Sequence, residues 1–465
     1  MCPTTTIAML LCLGFSAQGE AEEGAVKLWK EVDVSAYAGS FVSPGDLDGD
    51  GRLDFLLSQM GLDTAPKRLV AVDLTGKKLW EVGEAGSGDV AQAGRLGEPT
   101  CRGIAAVYDV DHDGKSEVLA ELWQGDELTF CLIEGATGKI LRQIPSPFDK
   151  SVRHPEGFRP SRPCPWSLIA YTRGRDELPT IVLKYEASNS IPCHAVGFDA
   201  KLNRLWHVET RPTGMGHHPD VADLDGDGCE EIILGETILG AGGKIVWQKD
   251  IGIHADFAVA ADVAPAEGKE VLLSICQRGP AYCFDARGNQ LWAKSREEVS
   301  HGQGVWTGNF LPDQPGLEAI ILCSGHVGDF LTVAAEDGKS LARFQHATLL
   351  KGYPDVPTVA NWLGPHVQSL WLPVDRRLVD GNGKTVADLG PYDERVIERL
   401  ASGTSKGNLA PQAIPLDVCG DARHELVLYQ PYRGRSIFIF TQPDGRGDEK
   451  PYVAQPAGYN FRHYF

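Results

Sequence analysis

The apolar residues of this 465-residue chain come in short runs set between polar turns, and the runs repeat. FLL at 55–57, VLA at 118–120 and IIL at 232–234 close three related segments: DLDGDGRLDFLL from Asp46, DVDHDGKSEVLA from Asp109 and DLDGDGCEEIIL from Asp223. Apolar runs this short read as buried strands, because a helix would need a longer periodic segment. A second pattern follows within each unit, a Gly or Asn turn leading to Leu or Ile and often Trp. It occurs as GKKLW to Trp80, GKIL to Leu141, NRLW to Trp206, GKIVW to Trp247, GNQLW to Trp292, GKSL to Leu341 and GKTV to Val386. Looser versions of the acidic segment fill the gaps: DVAPAEGKEVLL from Asp262, NFLPDQPGLEAIIL from Asn309 and DVCGDARHELVLY from Asp417. Units of roughly 40–60 residues, each holding several short strands, predict a β-propeller. Strands starting near Val42, Ala105, Leu168, Val221, Val259, Val305, Val359 and Ile414 give eight blades, with seven as the alternative. VKLW at 26–29 belongs to none of these units and reads as an outer strand closing the ring against the last blade. The expected fold is all-β: a single eight-bladed propeller over residues 20–465, with no linker long enough to divide it.

The acidic segments add chemistry. Each has carboxylates at positions 1, 3, 5 and 9 and Gly at position 6: Asp46, Asp48, Asp50 and Asp54; Asp109, Asp111, Asp113 and Glu117; Asp223, Asp225, Asp227 and Glu231. Ca²⁺ takes about six to eight oxygen ligands, and acidic residues on alternate positions of a tight turn can converge on one ion. An EF-hand opens the same way but ends on a bidentate Glu at position 12. Here that position is Leu57, Ala120 or Leu234, and a strand follows rather than a helix. The loops are therefore read as calcium-binding, with a structural role; the alternative is three acidic turns without metal.

Composition narrows the function classes. With 53 Gly and 29 Pro the chain turns too often for a helical bundle, and a formal charge of −19 would repel a nucleic-acid backbone. No nucleic-acid partner is expected. IAMLLCLGF at 7–15 is far shorter than the ~20 residues that span a bilayer. It reads as the core of a signal peptide over residues 1–19, although this segment lacks Lys and Arg; the small residues around Gln18 predict cleavage after Gly19. No later segment reads as a membrane span, so a secreted or periplasmic monomer is expected. Of 11 cysteines, Cys2 and Cys12 precede the cleavage point, and the others are scattered singly without a CxxC, unlike a disulfide framework or zinc ribbon. Cys276 and Cys283 are close enough in sequence to bridge a hairpin, or equally to be two buried thiols in neighbouring strands.

The order of the motifs resembles known families. The loop-then-strand unit is similar to FG-GAP and integrin-type propeller repeats. The non-repeated pieces resemble the family 11 rhamnogalacturonan lyases, secreted enzymes whose eight-bladed, calcium-rich propeller cleaves a pectin backbone. VYDVDHDGKSEV from Val107 and RPSRPCPWSLIAYTRGRDELPTIVL from Arg159 resemble that family's second and third blades. GHHPDVADLDGDGCEEIILG from Gly216 and IHADFAVAADV from Ile253 resemble its fourth and fifth, and HGQGVWTGNFLPDQPGLEAI from His301 the next. GTSKGNLAPQAIPLDVCGDARHELVLY and QPAGYN resemble its final blade and terminus. The resemblance runs from about residue 40 onward, without the family's N-terminal β-sandwich segment.

That resemblance implies a polysaccharide lyase acting on a rhamnose- and uronate-containing acidic polysaccharide by β-elimination. Such a reaction needs a base for the proton beside the uronate carboxylate and positive charge to hold the developing enolate. The resemblance assigns catalysis to Lys406 and Tyr459, and substrate binding to His217, His254 and Asp256 at blade openings. A lysine becomes a base when burial or nearby positive charge lowers its pKa to ~7–8. A histidine in such a place can equally be a structural hydrogen-bonder or orient a metal ligand. Gln303 stands where the family has an arginine, so a planar carboxylate-binding fork is lost. KYEASNS from Lys184 replaces a family stretch rich in Arg and Tyr. The Pro-rich loop from Lys150 to Arg162 offers Arg153 and Arg159 to a polyanion, or is simply solvated. His194 and His301 have no match and are read as structural. The competing class is a non-catalytic propeller binding glycans or a cell-surface partner, since propellers host both. A glycoside hydrolase ranks third, because most acidic residues are already assigned to the loops.

Overall fold

The computed structural model describes residues 25–60, 65–84, 105–148, 166–185, 192–212, 214–252, 254–263, 269–275, 280–323, 329–345, 357–400, 411–431 and 434–445. They form eight four-stranded antiparallel sheets, so the count of eight blades holds and the seven-bladed alternative falls. The first strands of the blades are Ser40–Gly45, Ala105–Tyr108, Trp166–Ala170, Asp220–Ala222, Ala255–Ala261, Gly302–Gly308, Thr358–Gly364 and Gln412–Leu416. Each contains one of the predicted starts. Consecutive first strands touch one another, which makes them the inner lining of the ring. The second strands, such as Thr180–Tyr185, Glu318–Cys323 and Glu425–Tyr429, are buried throughout. Sheets covered on both faces produce continuous apolar runs, and this is why the FLL, VLA and IIL segments are so legible.

Closure is by the predicted strand. Lys27–Asp33 pairs antiparallel with Ser436–Thr441, and the last blade is ordered from the N-terminal strand inward to Gln412–Leu416. It extends four residues beyond VKLW. A short helix, Asp393–Leu400, straps it: Arg399 Nε lies 3.3 Å from Glu31 Oε1 and its guanidinium 3.1 Å from Asp33, while Arg395 also pairs with Glu31. Exposed ion pairs contribute little individually. The closing strand is held mainly by the ladder and by Val32, which is packed with Val42, Phe55, Val427 and Ile439 in a core shared by blades 1 and 8. Similar cores seal the other seams, for example between blades 3 and 4 and between blades 4 and 5.

The Gly-turn and Trp signature has one packing explanation. Trp80, Trp247 and Trp292 sit in the fourth strands Lys78–Gly83, Ile245–Gln248 and Gln290–Lys294 and are buried against the next blade. Their indole N–H groups donate to main-chain carbonyls there: Trp80 to Gly135, Trp247 to Ala286 at 3.0 Å, Trp292 to Ala335 at 2.8 Å. The glycine of each receiving turn lies under the ring. A Cβ on Gly338, whose φ is +71°, would stand 2.8 Å from Trp292 Cδ2. The repeated Gly thus supplies both the left-handed turn and the space for the neighbour's indole.

Strand direction alternates within a blade. The turns joining strands 1–2 and 3–4 therefore emerge on one rim, and the 2–3 turns and the links between blades on the other. The acidic loops are all 1–2 connections, and His217, His254 and His301 lie in inter-blade links or at the strands they open. The predicted signal segment, the basic loop from Lys150 to Arg162 and Cys276 lie outside the described residues; Cys283 is a free buried thiol. No helix among the described residues is long and apolar enough to cross a membrane.

Candidate functional site

On the acidic rim each loop folds around its own carboxylates. Asp46 accepts the N–H groups of Gly49 at 2.8 Å and Gly51 at 3.0 Å, and Asp223 accepts those of Gly226 and Gly228 at the same distances. Three triads bring carboxylate oxygens within 4.8 Å of one another: Asp46, Asp48 and Asp50; Asp109, Asp111 and Glu117; Asp223, Asp225 and Glu231. Every donor is oxygen, the set a hard cation such as Ca²⁺ prefers. Asp54, Asp113 and Asp227 complete the same loops outside these triads. Burial, with like charges adjacent, pushes Asp54, Glu117 and Glu231 up to about 7. A cation would reverse that pressure.

The ninth-position carboxylate has a second role that spacing alone did not reveal. Asp54 accepts the Leu47 N–H at 2.9 Å, Glu117 that of Val110 at 3.1 Å and Glu231 that of Leu224 at 2.9 Å. The looser loops keep this bond, Glu270 to Val263 at 2.9 Å and Glu425 to Val418 at 2.7 Å, although they have lost the alternating acids. Position 9 therefore shapes the turn whether or not an ion is bound. In the loop at Asp417, Arg423 grips Asp421 through Nε at 3.1 Å and a terminal nitrogen at 2.6 Å, so a guanidinium supplies positive charge from within the chain.

On the opposite rim, the openings of blades 4, 5 and 6 converge on one carboxylate. Asp256, 1% exposed, lies 3.1 Å from His254 Nε2, 3.6 Å from His217 Nε2 and 3.9 Å from His301 Nε2, and its Oδ2 accepts the Gln303 amide at 2.6 Å. The His217 and His254 rings are 4.1 Å apart. Backbone bonds fix the approach: the His217 N–H donates to Ala255 O at 2.8 Å and that of His218 to Asp256 O at 3.1 Å, while the buried His218 ring stacks on Phe257 at 4.4 Å. Burial lowers the pKa of His301, which favours the neutral ring. Two imidazoles and a carboxylate within 4.8 Å could also hold a metal ion, and this mixed set is softer than the acidic loops.

Of the sequence-predicted residues, His217, His254, Asp256 and Gln303 meet here. Lys406, Tyr459, Arg153 and Arg159 lie outside the described residues. Two members were missed. His301, read as structural, stands two residues before Gln303 as His254 stands two before Asp256; that shared alternation at a strand opening was the available signal. Lys184 is fully buried and donates to the Gly216 carbonyl and, at 3.4 Å, to that of His217, so it holds the link carrying the histidine. Its signal was a lysine inside the apolar strand TIVLKY.

No family model matches the chain. Among curated proteins it is 25% identical over 454 residues to the rhamnogalacturonan endolyase YesW of Bacillus subtilis (strain 168), a match covering 84% of this chain and 65% of that relative's length. The solved structure of rhamnogalacturonan lyase YesW superposes with a TM-score of 0.65 and 19% identity, covering 92% of this chain and 78% of the other. The Bacillus licheniformis rhamnogalacturonan lyase PL11 gives 0.63 and 21%, covering 92% and 77%. The eight-bladed propeller found here is thus a fold this chain shares with rhamnogalacturonan lyases, and its sequence is similar to one of them over most of its own length.

Proposed function

We propose that this protein is a secreted polysaccharide lyase that cleaves a rhamnose- and uronate-containing, rhamnogalacturonan-like polysaccharide by β-elimination. The observation that carries the reading is that His217, His254 and Gln303, from the openings of blades 4, 5 and 6, gather on one rim around the buried carboxylate of Asp256. Similarity to a rhamnogalacturonan endolyase supports the substrate class. In this reading Lys406 removes the proton beside the uronate carboxylate, and Tyr459 donates to the departing glycosidic oxygen or orients the sugar. Asp256 holds the imidazoles of His217 and His254 toward the substrate. Gln303 carries no charge, so a cation held by His217, His254 and Asp256, or the basic loop at 150–162, supplies the positive field that an arginine would give. The three acidic loops hold structural Ca²⁺ on the other rim.

Incubation with a panel of pectin, rhamnogalacturonan and ulvan tests this. Growth of the ultraviolet absorbance of an unsaturated uronate on a rhamnose-containing member is the expected result, and none on any member defeats the reading. A second reading, a non-catalytic glycan-binding propeller, is favoured by Gln303, whose amide is committed to Asp256. Retention of a polysaccharide without absorbance would select it.

A further inference from the structure

Two ionic side chains under the histidine rim, Lys184 and Glu236, are each 0% exposed. Lys184 sits in Thr180–Tyr185, the buried second strand of blade 3, and its ammonium donates to the carbonyls of Gly216 and His217. Those carbonyls belong to the peptides on either side of the His217 Cα. Glu236 sits in the turn between the second and third strands of blade 4, Glu231–Leu234 and Thr237–Leu239. One of its oxygens accepts the Ala255 N–H at 3.4 Å, and the other lies 3.4 Å from the Arg211 guanidinium. That N–H belongs to the peptide joining His254 to Ala255. A buried cation thus grips carbonyls at the opening of blade 4, and a buried anion grips an N–H at the opening of blade 5. Between them the backbones touch. A Cβ on Gly216, whose φ is +55°, would stand 2.9 Å from both Ala255 O and Gly235 Cα. Thr237 Oγ1 also donates to the Gly214 carbonyl, which ties the same turn to the link before His217.

Burying a charge costs stability unless it is well paired, and an apolar residue in the same slot is often as stable or more so. Local rules of folding are broken chiefly where function requires it. We propose that Lys184 and Glu236 are positioning residues that fix the imidazoles of His217 and His254 around Asp256 for turnover. Being fully buried, neither can touch substrate. Lys184 fixes the direction in which the His217 ring leaves the chain, and Glu236 does the same for His254. Reacting groups must be held within about 0.5 Å by residues that are themselves locked, and two buried charges aimed at main-chain atoms meet that need. The inference rests on the lyase reading for the reaction that these rings serve.

Kinetics on rhamnogalacturonan and Tm, measured on the full chain for Lys184→Met, Glu236→Gln and Glu236→Met, test it. Lys184→Met keeps the buried stem and removes the ammonium. It should lower kcat per folded molecule by roughly 10²-fold, the cost of a misplacement of about 1 Å, with Tm unchanged or raised. Glu236→Gln keeps an oxygen for the Ala255 N–H and should turn over roughly tenfold faster than Glu236→Met, which has none. The imidazole NMR resonances of His217 and His254, assigned with His217→Gln and His254→Gln, give a readout that needs no turnover. The His217 signal should move in Lys184→Met and the His254 signal in Glu236→Met. If wild type forms no unsaturated uronate, the lyase reading fails by itself, and these resonances still decide whether the two charges set the rings. The proposal is overturned if Lys184→Met keeps the wild-type rate per folded molecule, if Glu236→Gln and Glu236→Met turn over equally, or if both resonances stay in place.

Discussion

The two rims of this propeller are built by opposite routes. On the acidic rim each candidate cation site is a single turn, closed by its own residues, as when Asp46 accepts the N–H groups of Gly49 and Gly51. On the histidine rim no segment is complete. Asp256 gathers His217 from the link into blade 4, His254 from the link into its own blade and His301 and Gln303 from the opening of the blade after it, and Lys184 reaches from blade 3 to the main chain of His217. Each acidic loop is therefore independent of its neighbours, and in blade 8 the corresponding turn holds an Arg423–Asp421 pair instead of three alternating acids. The histidine rim exists only where blades 3 to 6 pack side by side.

The largest expected effect follows from closure. Removing residues 27–33 strips the last blade of its fourth strand and bares an edge. Loss of the cooperative melting transition is expected, and a variant that melts like wild type would show that the ring closes without this strand. Next is catalysis: Lys406→Ala should cut the rate of unsaturated-product formation by ~10²–10⁴-fold, the usual loss for a general base, at an almost unchanged Tm. Equal rates would remove Lys406 from the mechanism. Trp292→Ala deletes a buried indole that seals a seam, and should cost ~3–5 kcal/mol in denaturant unfolding.

Calcium removal is smaller and has a distinctive pH dependence. At a hundred times its Kd one ion stabilises the fold by ~2.7 kcal/mol, so chelation should lower Tm. Without metal, Asp54, Glu117 and Glu231 titrate near 7 in the folded chain, above the ordinary ~4 of an unfolded carboxyl. The folded state then holds more protons between these values, and stability falls as pH rises from about 4 through 7. The chelated protein should melt higher at pH 5 than at pH 8, and the calcium-loaded protein should reverse that order because protons compete with the ion. Equal melting of both forms at every pH would make the loops plain acidic turns.

Legibility in the sequence tracks the same division. Each blade is a local unit, so all eight strand starts and the closing strand could be read from apolar runs and Gly-turn-Trp signatures. The acidic loops were readable as turns for the same reason, except for the backbone bond made by position 9, which spacing does not encode. His301 and Lys184 were not recognised, because each gains meaning only from a partner brought up by the ring: Asp256 for one, the Gly216–His217 link for the other. Gln303 was identified by what it replaces, and its bond to Asp256 became visible only in three dimensions.

The most direct test of this division is one paired measurement, product formation and Tm for His217→Gln and Asp48→Asn on rhamnogalacturonan with calcium present. Division of labour between the rims predicts that His217→Gln loses most product at an unchanged Tm, while Asp48→Asn melts lower and keeps its activity per folded molecule. The opposite pattern, with activity following Asp48 and stability following His217, would contradict it.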